Sequence, residues 1–533
     1  MEKKKTNPYM PVYFSLVLAL GLLLGIVLTS RTGGILSMGG KNDKLKEVIN
    51  YVQKNYVDTV GKQVLEEKAI EGLLQRLDPH SAYISATEFH EANDPLLGSF
   101  DGIGVQFRIE SDTVTVIIPT SGGPSERIGI RAGDRIVKVN DINIAGIKIT
   151  SNEVMKKLKG PKGTEVKVTI FRRGVSGLLD FTIVRDVIPT YSIDIAYMVE
   201  PGIGYIRLNT FSTTTHEEVK DALKKLIDEG MKSLILDLRG NGGGYMQAAI
   251  DVSDEFLPEG TLIVYTEGEH QSKEMKYSTS RGLFENGKLV ILIDEFSASA
   301  SEIVAGAIQD NDRGQIIGRR SFGKGLVQEQ LAFKDGSAVR LTVARYHTPT
   351  GRCIQRSYKD GIEEYYNDYY HRVMNGELEN PDSIKFADSL KYRTPKGKIV
   401  YGGGGIMPDI YVPVERDSAL RFYNTLLNKG LIYQFAFEYT DRKRDQLNRF
   451  RTVDQFNRQF VISDDIFYEF LAYAEKKGIK RPLSAQTRSD QYIRVMLKAY
   501  IGRNILDNEG FYPVLNKIDP AFNKAVSVLK QKN

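Results

Sequence analysis

A single cysteine, Cys353, among 533 residues excludes an internal disulfide and any zinc site built from thiolates. Histidine is also scarce, with six residues and no HExxH pattern, which argues against a zincin. Charge of one sign is missing too. The 72 lysines and arginines against 67 acidic residues leave +5, too small an excess over this length to mark a nucleic-acid partner. No internal repeat is visible. The composition, 41% hydrophobic and 26% charged, disfavours long disorder, collagen and coiled coil. What remains is a globular chain long enough for about three or four domains. Its one mild outlier is glycine, at 49 residues, and their positions matter more than their number.

The N-terminus suggests a compartment. EKKK at 2–5 precedes an apolar run from Pro11 to Leu28, 18 residues at the lower edge of what spans a bilayer as a helix. The expectation is a single-pass anchor over 1–30 with its N-terminus cytoplasmic and the rest exported to the periplasmic side of a bacterial inner membrane. A cleaved signal peptide is the competing reading, although no good A-x-A site follows Leu28.

Beyond the anchor, Leu45, Val48, Ile49 and Val52 have helical spacing, and a second helix is predicted over Val64–Leu77. LDPHSAYIS (77–85) then breaks the pattern at Asp-Pro. From 105 to 184 the chain reads as short strands, VTVIIP, DRIVKVN, EVKVTIFR and LDFTIVR, with one short helix at 152–160. After Gly202 strands and helices alternate. SLILDL (233–238) and LVILID (289–294) are continuous apolar runs, as expected of strands covered on both faces. Residues 357–397 are polar and tyrosine-rich and read as an insertion. Residues 416–533 read as a separate helical region with aromatic stripes such as Phe467, Phe470, Leu471 and Tyr473, which are assigned to its core.

Three segments can carry chemistry. FSASASEIVAGAIQD (296–310) puts alternating serines at a helix start, where free N–H groups favour developing negative charge. A serine there suits a nucleophile, and equally a plain N-cap by Ser299 or Ser301 with Glu302 in the first turn. No histidine has a convincing setting as its base; His347 in RYHTPTG reads as a turn residue. A desolvated lysine can serve instead, and Lys324 stands between Gly323 and Gly325, although a solvated turn lysine fits the same pattern. LDLRGNGGGYM (236–246) sets glycines at the carboxyl end of a buried strand, where open α/β sheets place their sites. Neither a P-loop nor a dinucleotide fingerprint fits these glycines, so no cofactor is expected, and no metal.

Together, SASASEI (297–303), GKGLVQ (323–328), LDLRGNGGG (236–244) and ARYHTPTGRCIQ (344–355) resemble, in order, the motifs of the carboxyl-terminal processing peptidases, or tail-specific proteases. LDPHSAYIS and GGIMPDIYVP add minor matches. The resemblance covers roughly 43–356 and 398–414. It implies Ser299 as nucleophile, Lys324 as general base, Gln328 as the residue orienting that lysine, and the backbone N–H groups of Gly243 and Ala300 as oxyanion donors. The family often has proline before the paired glycines, where this chain has Gly242. The strand-rich unit resembles a PDZ domain whose carboxylate loop would be Gly102, Ile103, Gly104 and Val105.

The expectation is therefore a multidomain α/β (α+β) protein. Its parts are an anchor or signal (1–30), a helical region (31–97), a PDZ domain (98–186), a serine protease core (187–415) and a helical C-terminal domain (416–533). The resemblance relates that core to the crotonase-like fold. It implies an endopeptidase that cuts exported proteins near their C-termini through a Ser–Lys dyad, with substrate C-termini as PDZ ligands. A PDZ-bearing scaffold with an inactive protease fold is the alternative. The helical tail is a candidate cap, oligomer contact or adaptor surface.

Overall fold

The computed structural model describes residues 9–31, 43–482 and 487–531. The chain forms two compact units, one ending at Arg76 and the other beginning at Leu77.

In the first unit, the apolar run lies in the helix Met10–Arg31. The EKKK stretch at 2–5 lies outside the described residues. Among the described residues no helix is long and apolar enough to cross a membrane. The expected span was short to begin with and is interrupted by Ser15 and Gly21, so the anchor rests on the sequence alone. Two further helices follow, Lys44–Asn55 and Lys62–Leu74. The second starts two residues before the predicted Val64 and stops short of Leu77. Of the spaced apolar residues in the first, Ile49 is buried, whereas Leu45 and Val48 are exposed.

Among the described residues the second unit is built on three large sheets, with two further two-stranded ones. The strand-rich segment forms a sheet in the order Val105–Glu110, Thr113–Pro119, Arg135–Val139, Glu165–Phe171, Leu178–Val184. The helix Ser151–Leu158 closes its core with Val154 and Leu158. Thr150 and Glu153 start that helix as a capping box, each satisfying the other's backbone N–H.

The central sheet runs Ile193–Glu200, Ile203–Leu208, Ser233–Asp237, Lys288–Ile293, Gln315–Gly318, Ile410–Tyr411. Its first pair is antiparallel and the rest are parallel, with Leu236 opposite Ile291 and Ile291 opposite Ile316. The two faces alternate along each strand. Leu234, Leu236, Ile291 and Ile293 pack against the helices Thr215–Asp228, Met246–Asp254 and Ala300–Asp310. Tyr205, Ile235, Val290, Leu292 and Ile317 face the other way, and Phe522, Ala525 and Leu529 of the helix Pro520–Lys530 cover them. The C-terminal region is helical as expected, but its last helix is part of the protease core rather than separate from it. The aromatic stripe behaves as assigned: Phe467 and Phe470 are buried, with Leu471 and Tyr473 packed at the edge of the same cluster.

A third sheet joins Ala82–Ile84, Ala338–His347, Leu262–Glu267 and Glu274–Tyr277, with Leu326–Ala332 also paired to Ala338–His347.

Candidate active site

The site sits where two parallel strands end. Ser233–Asp237 delivers the glycine loop 239–244, and Lys288–Ile293 delivers the serine turn before the helix Ala300–Asp310. The flanking serines bind these turns together. Ser297 donates its hydroxyl to the Leu238 carbonyl at 2.8 Å, and Ser301 donates to the Asn241 carbonyl at 2.9 Å. Both are fully buried. Ser299 differs: its side chain is half-exposed and lines a cleft of about 350 Å³ with Lys324, Gln328, Tyr245 and Met246. It also holds φ 56° and ψ −113°, a conformation that side-chain-bearing residues rarely adopt.

Glu302 joins the nucleophile turn to the lysine turn. One carboxylate oxygen accepts the N–H groups of Ser299 and Lys324, each at 2.9 Å. The other accepts the Gly323 N–H at 2.7 Å and the Ser321 hydroxyl. Burial pushes this carboxyl's pKa up, and those four donors pull it back. The Tyr346 hydroxyl is a second clasp, lying 2.6 Å from the Lys324 carbonyl and 3.0 Å from the Ser299 carbonyl.

Lys324 Nζ donates to Gln328 Oε1 at 3.0 Å, and Gln328 Nε2 donates to the His80 carbonyl at 2.7 Å. Burial lowers the lysine's pKa, and the Arg340 cation lowers it further, against the pull of Asp78 and Glu302. The His80 ring is itself pushed down to about 4, chiefly by burial and then by the Lys324 charge, so it adds no competing cation near neutral pH. Asp78 shapes the turn that presents the His80 carbonyl, accepting from the N–H groups of His80 and Ser81 and from the hydroxyls of Ser81 and Thr342.

Family models match this architecture: that of peptidase family S41 at residues 202–366 and that of the PDZ domain at 102–183. The carboxy-terminal-processing protease of Bartonella bacilliformis is 40% identical over 314 residues, 58% of this chain and 71% of that relative. The carboxy-terminal processing protease CtpA of Bacillus subtilis is 35% identical over 366 residues, 68% of this chain and 77% of that relative. The chain belongs to peptidase family S41. It is a serine-type peptidase of the carboxy-terminal processing group with a PDZ domain. A solved photosystem II D1 C-terminal processing protease aligns with 69% of this chain and 92% of its own at 26% identity, with TM-score 0.36. Residues 422–507 of this S41 peptidase match a family of unknown function.

One of the two oxyanion donors that the resemblance implies has a partner in this S41 site. The Gly243 N–H donates to Asn241 Oδ1 at 2.8 Å, so it is taken within its own loop rather than free for an oxyanion. The reason is local: Asn241 is buried, its Nδ2 fixed on the Leu208 carbonyl at 2.9 Å, which aims Oδ1 back at Gly243. Gly243 still approaches the serine turn as expected. At φ 102°, a Cβ there would lie 2.8 Å from Ser299 Cβ and 3.0 Å from Ala300 N. Ala300 opens its helix, in the first turn where N–H groups have no intrahelical acceptor. His347 does not line the cleft; it stacks on Tyr265 at 4.7 Å and meets the Gly351 carbonyl.

The sequence reading missed the supporting residues. In the sequence Glu302 stands out only as a first-turn acid. The 357–397 segment has the look of an insertion, yet its Tyr365 hydroxyl meets His80 Nε2 at 2.8 Å. Its buried Arg372 donates to the carbonyls of Arg320, Ser321 and Phe322 beside the lysine turn. The available signal is the density of tyrosine, six among residues 357–397.

In the PDZ domain, Gly102 ends one strand and Val105 begins the next. Between them Ile103 is buried, its carbonyl held by the Ser125 hydroxyl at 2.6 Å, and Gly104 takes φ 70°. Val105–Glu110 is an edge strand of its sheet.

Proposed function

We propose that this S41 peptidase hydrolyses peptide bonds near protein C-termini, with Ser299 as nucleophile and Lys324 as general base. The observation that carries the reading is the part-buried ammonium of Lys324, held 3.0 Å from Gln328 Oε1 in the cleft that Ser299 lines, where burial lowers its pKa. Neutral Lys324 takes the Ser299 proton as Oγ attacks the carbonyl carbon. The resulting oxyanion accepts from the Ala300 N–H at the helix start, and from the Gly243 N–H once it displaces Asn241 Oδ1. Collapse breaks the C–N bond, and the lysine ammonium returns its proton to the leaving amine. Water, deprotonated by the same lysine, then releases the acyl group. Gln328 keeps Nζ in line throughout. The glycine loop at a strand end beside a helix start is also what supports the kinship with the crotonase-like fold.

Substrate would enter as a strand. Leu326–Ala332 pairs only with Ala338–His347 among the described residues, and its residues 326–330 line the cleft, leaving an edge for an extended peptide. The free C-terminus of the substrate would be captured by backbone N–H groups of Gly102–Val105, with the chain added along the Val105–Glu110 edge. The EKKK stretch and the apolar run support an exported enzyme held at the cell envelope. Fractionation of the full chain tests that point: a soluble, full-length cytoplasmic product would overturn it.

The decisive assay is cleavage of a labelled tail peptide by the wild type, Ser299→Ala and Lys324→Ala. Each variant should lose activity by on the order of 10⁴-fold or more. Peptide binding without turnover in the wild type would favour the scaffold reading instead.

A further inference from the structure

The glycine loop is held from a direction that the family match does not include. Arg239 opens the loop, two residues after the strand Ser233–Asp237 ends. Its N–H donates to Asp237 Oδ1 at 3.0 Å, and its carbonyl accepts from Arg207 Nη2 at 3.0 Å. Its guanidinium forks onto Asp237, with Nε to Oδ1 at 2.9 Å and Nη2 to Oδ2 at 2.6 Å. The remaining nitrogen, Nη1, reaches Asp519, at 3.0 Å from Oδ1 and 2.8 Å from Oδ2. Asp519 stands 280 positions away, at the N-cap of the helix Pro520–Lys530, where it also accepts the Phe522 N–H at 3.0 Å.

We propose that Asp519 is a positioning residue for peptide hydrolysis: by fixing Arg239 it sets the 239–244 loop against the Ser299 turn. The inference rests on the Ser299 and Lys324 reading above. Three observations carry it. Asp519 is not an adventitious surface partner, because its helix is docked: Phe522, Ala525 and Leu529 cover the second face of the central sheet. At the other end of that helix, Lys288 Nζ meets the Gln531 carbonyl at 2.7 Å. The bond it makes is well formed, since both partners are mostly buried, with side-chain exposures of 16% and 18%. The loop it steadies has no slack elsewhere, because a Cβ at Gly243 or Gly244 would collide with the Ser299 turn or with Phe211. Rotation of Arg239 therefore passes along a short, tightly packed backbone to the atoms that face the oxyanion. An N–H group misplaced there is costly because its interaction forms in the transition state rather than with bound substrate.

The test separates positioning from simple support of the helix. Asp519→Ser keeps a good N-cap but cannot reach Arg239. The full-length variant should lose about tenfold in kcat with KM within about twofold, taking loss of one oxyanion donor as the upper bound. A peptide aldehyde, whose tetrahedral adduct carries the oxyanion, should bind more weakly by a similar factor. Asp519→Glu should recover part of the loss. Unchanged kcat and aldehyde affinity in Asp519→Ser, with only a lower Tm, would overturn the proposal and leave Asp519 as a helix cap. If Asp519→Ser does not fold, Asp519→Asn keeps the cap without the charge: a fall of threefold or more in kcat supports the proposal, and an unchanged kcat overturns it. Failure of the underlying reading looks different, because then wild type and Ser299→Ala would cleave alike.

Discussion

Ser299 occupies φ 56° and ψ −113°, where a Cβ is strained and glycine is not. Such a residue costs roughly 1–3 kcal/mol, supplied by the packing around it. Here that packing is the Glu302 carboxylate, the Tyr346 hydroxyl and the flanking buried serines. Ser299→Gly should therefore release strain while removing the nucleophile. Ser299→Ala removes the same hydroxyl but keeps the Cβ, so comparing the two isolates the backbone. Glycine loses about 0.5–1 kcal/mol more than alanine through chain entropy, which leaves a net advantage of about 0–2.5 kcal/mol. At about 2–4 °C per kcal/mol for a domain of this class, calorimetry should resolve the difference in Tm. Both variants should be inactive against a tail peptide. The reasoning fails if Ser299→Gly melts at or below Ser299→Ala, since the serine turn would then carry no strain.

Three further expectations follow from the site. Lys324 must be neutral to act, so kcat/KM should rise with pH along a limb set by its lowered pKa; Arg340→Ala removes a neighbouring cation, raises that pKa, and should move the limb to higher pH, whereas an unmoved limb would exclude Lys324 as the titrating base. Glu302→Gln leaves two of its four donors facing an NH₂ group, a loss of roughly 3–6 kcal/mol at about 1.5–3 per charge-assisted bond, visible as a lower Tm together with a large fall in kcat; retention of both would show that the two turns hold without it. Gly243→Ala places a Cβ 2.8 Å from the Ala298 carbonyl, so it should fold less stably and lose at least about a hundredfold in kcat, and near-normal turnover would show that the loop can move away at little cost.

The parts of this peptidase that follow from local chemistry were legible in its sequence. Buried strands announced themselves as SLILDL and LVILID, and the serine and lysine turns by small residues around one functional group. What was illegible depends on pairings across long stretches of chain. Nothing near Glu302 says that Ser321 and Gly323 will donate to it, and nothing near Asp519 points to Arg239. The glycines of 240–244 mark a close approach, but only the placed Asn241 side chain reveals that one N–H is already engaged. The polar character of 357–397 points to an insertion, whereas Arg372 spends its donors on carbonyls inside the fold.

The two-sided central sheet also sets an order of events during synthesis. Ser299 and Lys324 leave the ribosome long before Phe522, Ala525 and Leu529 exist to cover Tyr205, Val290 and Ile317. Until then the growing chain carries its reactive groups on a sheet with one bare face, so a working cleft comes late. The same dependence lasts for the lifetime of the enzyme. A nick before Pro520 would spare every residue of the proposed dyad and still strip a layer from the core.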